Sequence, residues 1–278
     1  MREAKMNKKI GRNDLCYCGS GRKYKNCHYG IDKKRIVTTD LTCDYCNDNI
    51  SVDFTNSCFN KFQPNDIPLM NFCKENGFYM FQVMSTYDRL ELEKKFENGT
   101  LTKKDFYDAY RNWLTLERCL DLFKSYYKEI EQFKERQEII FDAVEAHYSK
   151  KFTLSIPTFF LLIEGILRNL YKIPNKDTIQ PKFDKNIWNK RLMFSMEDRI
   201  EYLNWYINFL FEGGKASNVF NRNTVLHGLN KKYYTEENSW SLLLLLYEIG
   251  HIKILEKNTV PFSFEKAKGG VKMIPPKV

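Results

Sequence analysis

The stretch that decides the fold is PTFFLLIEGILRNLY, residues 157–171. It is apolar on nearly all sides of a helix, which is typical of a helix at the centre of a domain. Pro157 suits the first helical position, where an N–H would have no partner, so we predict a helix over residues 157–171. Two charged residues interrupt the stretch, Glu164 and Arg168. A buried carboxylate needs a cation or hydrogen bonds, so Glu164 is expected to have a charged partner.

Helical patterns continue on both sides of this stretch. Apolar residues recur at spacings of three and four over residues 104–150 and again over residues 196–211. These residues are Phe106, Tyr110, Trp113, Leu120, Tyr127, Ile130, Phe133, Ile140, Val144, Tyr148, Ile200, Leu203, Tyr206 and Ile207. A last helix is predicted from a cap at Asn238 or Ser239 to about residue 255. The pattern predicts a mainly α protein with an antiparallel helical bundle over residues 104–278.

The positive charge of the chain is concentrated at its amino terminus. Residues 1–35 hold eleven Lys and Arg against three acids, which makes +8 of the net charge of +9. A basic patch confined to one small unit is typical of a contact with nucleic-acid phosphates, and a solvated tail is the alternative.

Neither a membrane span nor a signal sequence is predicted. The longest aliphatic run, residues 242–246, is too short to cross a bilayer, and residues 1–10 contain no apolar stretch. We therefore expect a cytoplasmic protein with no membrane partner. Eight cysteines in such a chain indicate reduced thiols or metal ligands rather than disulfides.

Four residues near the amino terminus have the spacing of metal ligands: Cys16, Cys18, Cys27 and His28. Three thiolates and an imidazole form the donor set of a closed tetrahedral zinc site, which is structural because no position is left for a reactive water. Residues 11–28 closely resemble the SEC-C motif, the zinc-binding tail of the SecA translocation ATPase that also occurs attached to many other bacterial proteins. The resemblance implies bound zinc and a docking role towards protein, ribosome or nucleic acid, and we assign residues 1–35 to this unit.

Residues 36–103 form a linker or a small cysteine-containing region. Its cysteines are Cys43, Cys46, Cys58 and Cys73. A second zinc site built from these four thiolates is one interpretation, and reduced thiols without metal or a redox dithiol are the others.

A second polar motif lies between the last two predicted long helices. Arg222, Asn223 and His227 are followed at once by Gly228. On a helix, Asn223 and His227 share a face, and Arg222 and His227 are only about 7.5 Å apart along the axis. An imidazole beside a permanent cation is what the transfer of a phosphate group requires. Glu164 is a candidate partner for Arg222, although Arg168 could neutralise Glu164 instead.

Three segments together resemble the HEPN superfamily of helical-bundle ribonucleases. They are residues 131–148, residues 156–170 and residues 220–228, within a resemblance that covers about residues 130–256. The HEPN signature is an Arg, a polar residue and a His after four to six intervening positions, and Arg222, Asn223 and His227 match it.

The resemblance implies metal-independent cleavage of RNA by a homodimer that brings two motifs together across one cleft. His227 would act as general base or acid, Arg222 would stabilise charge on phosphorus, and Asn223 would orient either His227 or the phosphate. The expected function is that of a bacterial endoribonuclease, a toxin or antiphage defence effector, which acts on RNA or a ribonucleoprotein and has a neutralising partner. The alternative is a non-catalytic adaptor that binds RNA or protein, in which Arg222 and Glu164 serve stability.

Overall fold

Helices dominate the described part of the chain. The computed structural model describes residues 11–16, 21–26, 36–42, 49–53, 66–184, 188–189, 194–195, 197–212, 219–258, 263–267 and 270–274. The chain divides into two units. One comprises Met1–Asn71, Lys190–Met193 and Val260–Val278, and the other comprises Phe72–Asn189 and Phe194–Thr259. The helical unit thus begins at Phe72, earlier than the boundary at residue 104 expected from the sequence.

The elements follow one another in a simple order. The helices are α1 (Asp66–Glu75), α2 (Thr86–Glu97), α3 (Lys103–Trp113), α4 (Leu116–Glu129), α5 (Glu131–Lys134), α6 (Gln137–Tyr148), α7 (Phe152–Tyr171), α8 (Glu197–Glu212), α9 (Arg222–Leu226) and α10 (Glu236–Asn258). The strands are β1 (Ile36–Thr42), β2 (Asn49–Asp53), β3 (Trp188–Asn189), β4 (Phe194–Ser195), β5 (Ser263–Ala267) and β6 (Gly270–Ile274). The strands pair as antiparallel hairpins, β1 with β2, β3 with β4 and β5 with β6.

The carboxy-terminal hairpin corrects the expectation that the helical bundle extends to residue 278. Strands β5 and β6 pair from Ser263 with Ile274 to Ala267 with Gly270, and they belong to the same unit as β1 and β2.

The centre of the helical unit is α7, which packs against α6 and α10. Its fully buried side chains include Ile156, Phe159 and Ile163, so the prediction of a central helix is confirmed. Among the described residues it is the helix long and apolar enough to span a bilayer. That is weak evidence for a membrane span, because the core helix of a bundle has the same length and composition.

The start of α7 corrects the prediction at Pro157. The helix begins at Phe152, and Pro157 lies inside it. A proline within the helix has no N–H to donate to the carbonyl four residues earlier, which here is that of Thr153. The first turns of α7 therefore leave one carbonyl without an intrahelical partner.

A non-helical segment, residues 78–83, runs through an aromatic layer of the same unit. Its backbone is held by two tyrosines: Tyr202 accepts from the Met80 N–H at 3.0 Å, and Tyr110 accepts from the Phe81 N–H at 2.9 Å. These tyrosines are buried. The backbone N–H groups of this segment thus bind side-chain hydroxyls, where a strand or helix would supply backbone carbonyls. No periodicity in the sequence predicts such an arrangement.

The break between α3 and α4 shifts one of the predicted apolar stripes. The chain leaves its helix at Leu114, and Thr115 caps α4 through a bond from the Arg118 N–H. Because this break changes the rotation of the following helix, α4 buries Cys119, Phe123 and Tyr126 instead of Leu120 and Tyr127.

The last helix starts earlier than predicted. The Thr235 hydroxyl accepts from the Asn238 N–H at 3.2 Å, and the helix begins at Glu236. The stripe of α8 is confirmed, since Ile200, Leu203, Tyr206 and Ile207 are buried.

Candidate functional site

The short helix α9 carries the Arg-Asn-His motif, and a capping box sets where the helix starts. Asn221 accepts from the Thr224 N–H at 2.9 Å, and Thr224 accepts from the Asn221 N–H at 3.3 Å. The Thr224 hydroxyl also donates to the Val219 carbonyl at 2.6 Å, and Asn221 and Thr224 are both buried. An Asn followed three positions later by a hydroxyl is the signal in the sequence that could have predicted this helix start.

Glu164 of α7 joins Arg222 to Arg168. Its Oε2 accepts from Arg222 Nε at 2.9 Å, and its Oε1 accepts from Arg168 Nε at 3.0 Å. The sequence left two partners open for Glu164, and the structure uses both. Arg168 also donates to the carbonyls of Pro174 at 2.7 Å and Asp177 at 3.1 Å, so it anchors the segment that follows α7.

Arg222 keeps most of its hydrogen-bonding capacity. Its guanidinium has five N–H donors, of which one binds Glu164 and one binds the Asn223 side-chain oxygen at 3.2 Å. The other three have no partner among the described residues, and the side chain is 29% exposed. Asn223 therefore orients Arg222 here, whereas the resemblance implied that it would orient His227 or the phosphate. A guanidinium that is held in place by a carboxylate and still has unpaired N–H donors is suited to bind an anionic ligand.

His227 caps the end of α9. Its backbone N–H donates to the Asn223 carbonyl at 3.1 Å, and its imidazole is exposed. Within residues 219–258, the imidazole makes no hydrogen bond or ion pair. Gly228 follows with φ +68 and open space around its Cβ position, which is the left-handed residue that commonly ends a helix. The helix thus places Arg222 at its first turn and His227 at its end.

Another histidine, His147, lies in the core and has a structural role. Its Nδ1 is 2.8 Å from the Ser239 hydroxyl, which is 2.7 Å from that of Ser155, and all three residues are buried. Burial lowers the pKa of His147 to about 3, so the imidazole is neutral near pH 7.

The described part of the amino-terminal segment, residues 11–16 and 21–26, contains one of the four predicted zinc ligands, Cys16. The Cys16 N–H donates to the Arg22 carbonyl at 2.8 Å, and the Tyr24 N–H donates to the Asp14 carbonyl at 2.7 Å, which folds the chain back on itself. Cys16 is 5% exposed, whereas its neighbour Leu15 is 69% exposed. A thiol turned inwards while leucine faces solvent fits a unit assembled around a metal ion. The other three predicted ligands lie outside the described residues, namely Cys18, Cys27 and His28.

The same segment matches a known family. The family model of the SEC-C motif covers residues 12–30. Residues 12–30 are a SEC-C motif.

Curated relatives match this chain over short segments of 20–23 residues. The protein translocase subunit SecA of Borreliella burgdorferi strain ZS7 is 85% identical over 20 residues, which is 7% of this chain and 2% of that protein. SecA of Chlorobium limicola is 86% identical over 21 residues, 8% of this chain and 2% of its own length. SecA 1 of Clostridioides difficile is 74% identical over 23 residues, 8% and 3% of the two chains. No solved structure is significantly similar to this chain.

Of the four cysteines predicted for a second zinc site, the structure places one. Cys73 is fully buried, and burial raises the pKa of its thiol well above the usual range. That environment favours the thiol over the thiolate that binds metal. Cys43, Cys46 and Cys58 lie outside the described residues. Within the part of the chain that the structure describes, no three His, Cys, Asp or Glu side chains are grouped for metal binding.

Proposed function

We propose that this protein is a metal-independent endoribonuclease of the HEPN type, with Arg222, Asn223 and His227 at its active site. The proposal rests on how the motif residues are held and exposed on α9. Arg222 is fixed by Glu164 at 2.9 Å yet keeps open donors, and His227 stands exposed at the other end of the same short helix. A preorganised cation and a solvent-accessible imidazole are two of the groups that cleavage of a ribose phosphodiester uses.

The reaction follows from these two groups. His227 removes the proton from a ribose 2′-hydroxyl, whose oxygen attacks the adjacent phosphorus, or it donates a proton to the leaving 5′-oxygen. The phosphorus–oxygen bond to that 5′-oxygen breaks, and a 2′,3′-cyclic phosphate remains. Arg222 donates to the phosphoryl oxygens as negative charge grows on them in the pentacoordinate transition state. Asn223 and Glu164 are positioning residues, because each holds the guanidinium rather than the substrate.

Each chain supplies one such histidine, and the reaction needs both a base and an acid. A homodimer that brings two copies of α9 to one cleft provides two imidazoles. We therefore propose that the active form is a homodimer.

The SEC-C motif has a separate role in this proposal. Cys16, Cys18, Cys27 and His28 would hold a zinc ion that supplies folding energy and no reactive water. The +8 charge of residues 1–35 would then dock the enzyme on RNA or a ribonucleoprotein. We place the protein in the bacterial cytoplasm, as a toxin or antiphage defence effector kept in check by a neutralising partner.

The test is cleavage of total RNA by the purified full-length chain in excess EDTA. We expect the wild type to cleave, and His227→Ala and Arg222→Ala each to lose about 100-fold or more of the rate, the usual contribution of such a group. Arg118→Ala is the matched control, because the Arg118 guanidinium contacts the Trp113 ring at 4.4 Å and the Trp113 carbonyl at 2.8 Å and no residue of the motif. Circular dichroism and sedimentation check that each variant keeps its fold and its dimer. Undiminished cleavage by both motif variants would exclude the site.

A second function is favoured by one observation. Glu164 is 16% exposed and is paired by both Arg222 and Arg168, an arrangement that stabilises a half-buried carboxylate without any catalysis. In that case the protein is a non-catalytic adaptor that binds RNA or protein. It would then bind RNA without turnover, and His227→Ala would bind as tightly as the wild type.

A further inference from the structure

The loop that follows the motif, residues 227–235, is fastened to α7 by the carbonyl that Pro157 leaves without a helical partner. The Tyr233 hydroxyl donates to the Thr153 carbonyl at 3.3 Å. This bond satisfies an acceptor that the proline has orphaned. The loop is thereby held on the first turn of α7.

A second, buried anchor holds the end of the same loop. Ser239, in the first turn of α10, is bonded to His147 at the end of α6 and to Ser155 at the start of α7, at 2.8 and 2.7 Å. The turn that joins α6 to α7, residues 149–151, therefore lies beside the loop. Two segments distant in sequence form one surface, which we call the loop–turn surface: residues 149–151 and 227–235.

The loop–turn surface is basic. Lys150 and Lys151 are exposed in the turn, and Lys231 and Lys232 are exposed in the loop. Neither segment contains an acidic residue. The acids that follow at the start of α10 are already paired, since Glu236 bonds Arg111 at 3.3 Å and Glu237 bonds Lys103 at 2.8 Å. Four lysines without neighbouring acids in either segment produce a positive potential next to His227.

The loop–turn surface also offers an aromatic ring. Tyr234 is 51% exposed and packs edge-on against Tyr233, with ring centroids 6.0 Å apart. Because Tyr233 is itself fastened to α7, Tyr234 is held at a defined place on the surface. An exposed, supported ring beside lysines is the combination by which proteins bind single-stranded nucleic acid.

Helix geometry joins this surface to the motif. Glu164, which holds Arg222, and Thr153, which holds Tyr233, are eleven residues apart on α7. That spacing is about three helical turns, so the two contacts lie on one face of the helix and about 16 Å apart along its axis. Leu161 lies between them and is 59% exposed. A strand that crosses this face can contact the tyrosine and the motif together.

We propose that the loop–turn surface binds single-stranded RNA and leads it to the motif, with the lysines contacting phosphates and Tyr234 stacking on a base. This rests on the proposed function in one respect only, that the strand bound there is the substrate of His227. The polymer is a flexible single strand, because stacking on Tyr234 requires an unpaired base.

The test measures binding and its location separately from cleavage. All variants carry His227→Ala, so that a fluorescein-labelled RNA of twenty nucleotides stays intact in an anisotropy titration. One variant also has Lys150, Lys151, Lys231 and Lys232 changed to Gln, and another has Tyr234→Ala. The matched control changes four exposed lysines on other parts of the helical unit to Gln: Lys94, Lys124, Lys128 and Lys134.

We expect the four-lysine variant to reduce the salt dependence of binding by about 0.7 in log–log slope for each phosphate that the lysines no longer neutralise, and the control to leave it unchanged. Tyr234→Ala should weaken binding about fivefold or more. Photo-crosslinking with 4-thiouridine RNA, followed by mass spectrometry, should label residues 227–235. The proposal is overturned if crosslinks are confined to residues 1–35 and both variants bind like the control, or if the protein binds no RNA at all.

These outcomes separate the two proposals. If the native chain cleaves RNA while the lysine and tyrosine variants bind normally, the active site stands and the loop–turn surface is wrong. If RNA binds at the loop–turn surface but no chain cleaves it, the surface stands and the nuclease is wrong. A duplex of the same sequence that binds as tightly as the single strand would contradict the stacking role of Tyr234.

Discussion

Glu164 is the side chain on which the geometry of the candidate site depends. Its two oxygens bind two different arginines, Arg222 across the helices and Arg168 one turn along α7. Loss of Arg222 therefore leaves Glu164 still paired, which is why Arg222→Ala is a fair probe of chemistry rather than of folding. Removing Glu164 should destabilise the fold more than removing Arg222, because it would leave two arginines without their shared carboxylate.

His147 predicts a pH dependence of stability. Burial lowers its pKa to about 3 in the folded chain, against about 6.5 in the unfolded chain. Between these values the unfolded chain binds a proton that the folded chain does not. The free energy of unfolding should therefore fall as the pH drops below about 6.5, by about 1.4 kcal/mol per pH unit from this residue. Near pH 5 that is a loss of about 2 kcal/mol.

Urea denaturation at pH 7.5 and pH 5 measures this effect. His147→Gln keeps a polar group beside Ser239 but has no titration there, so its stability should change less between the two pH values. The difference between the two proteins isolates the histidine, because their other titrating groups are the same. Equal pH dependence in both proteins would contradict the assignment.

At the scale of elements, the packing of α10 on α4 depends on a glycine. A Cβ at Gly250 would lie 2.6 Å from the Tyr126 ring. That ring is buried and packs against Phe133 at 5.5 Å and Tyr247 at 5.6 Å, so it can move aside only if these neighbours move as well. The close approach of the two helices is therefore possible only without a side chain at this position.

Gly250→Ala tests this contact. Alanine gains about 1 kcal/mol of helix propensity over glycine, but overpacking a rigid core costs typically 1–3 kcal/mol or more. At 2.6 Å from a trapped ring the second effect should win, so we expect the melting temperature to fall by several degrees. Gly165→Ala in α7 is the matched control, since its Cβ would meet the movable Arg136 guanidinium at 3.4 Å. A melting temperature that rises in both variants would show that Tyr126 yields.

At the scale of the whole molecule, the proposed active site needs two chains. Wild-type and His227→Ala chains co-purified as mixed dimers give a direct test. With one part wild type to nine parts variant, a site that requires both histidines should retain about a hundredth of the activity, the fraction of doubly wild-type dimers. Chains that act alone would retain about a tenth. Sedimentation at the assay concentration establishes that dimers are present.

The sequence was sufficient for features that depend on local spacing. The cysteine and histidine spacing around Cys16 identified the SEC-C motif, because this motif is defined by residues that are close together in the chain. Local periodicity likewise predicted α7 as a central helix and the buried stripe of α8. The sequence also indicated that Glu164 needs a partner, since a carboxylate in an apolar helix requires a cation or hydrogen bonds, but it left Arg222 and Arg168 open as alternatives.

The tertiary structure decided what depends on residues far apart in the chain. No local pattern predicts that Tyr233 takes the carbonyl that Pro157 orphans, or that Tyr202 and Tyr110 hold residues 78–83. The hairpin formed by β5 and β6 was also seen only in the tertiary structure. The same holds for the buried face of α4, because the two-residue break before this helix changes which side chains it buries. Single residues and short spacings specify which groups need partners, but only the packing of distant segments determines which partners they obtain.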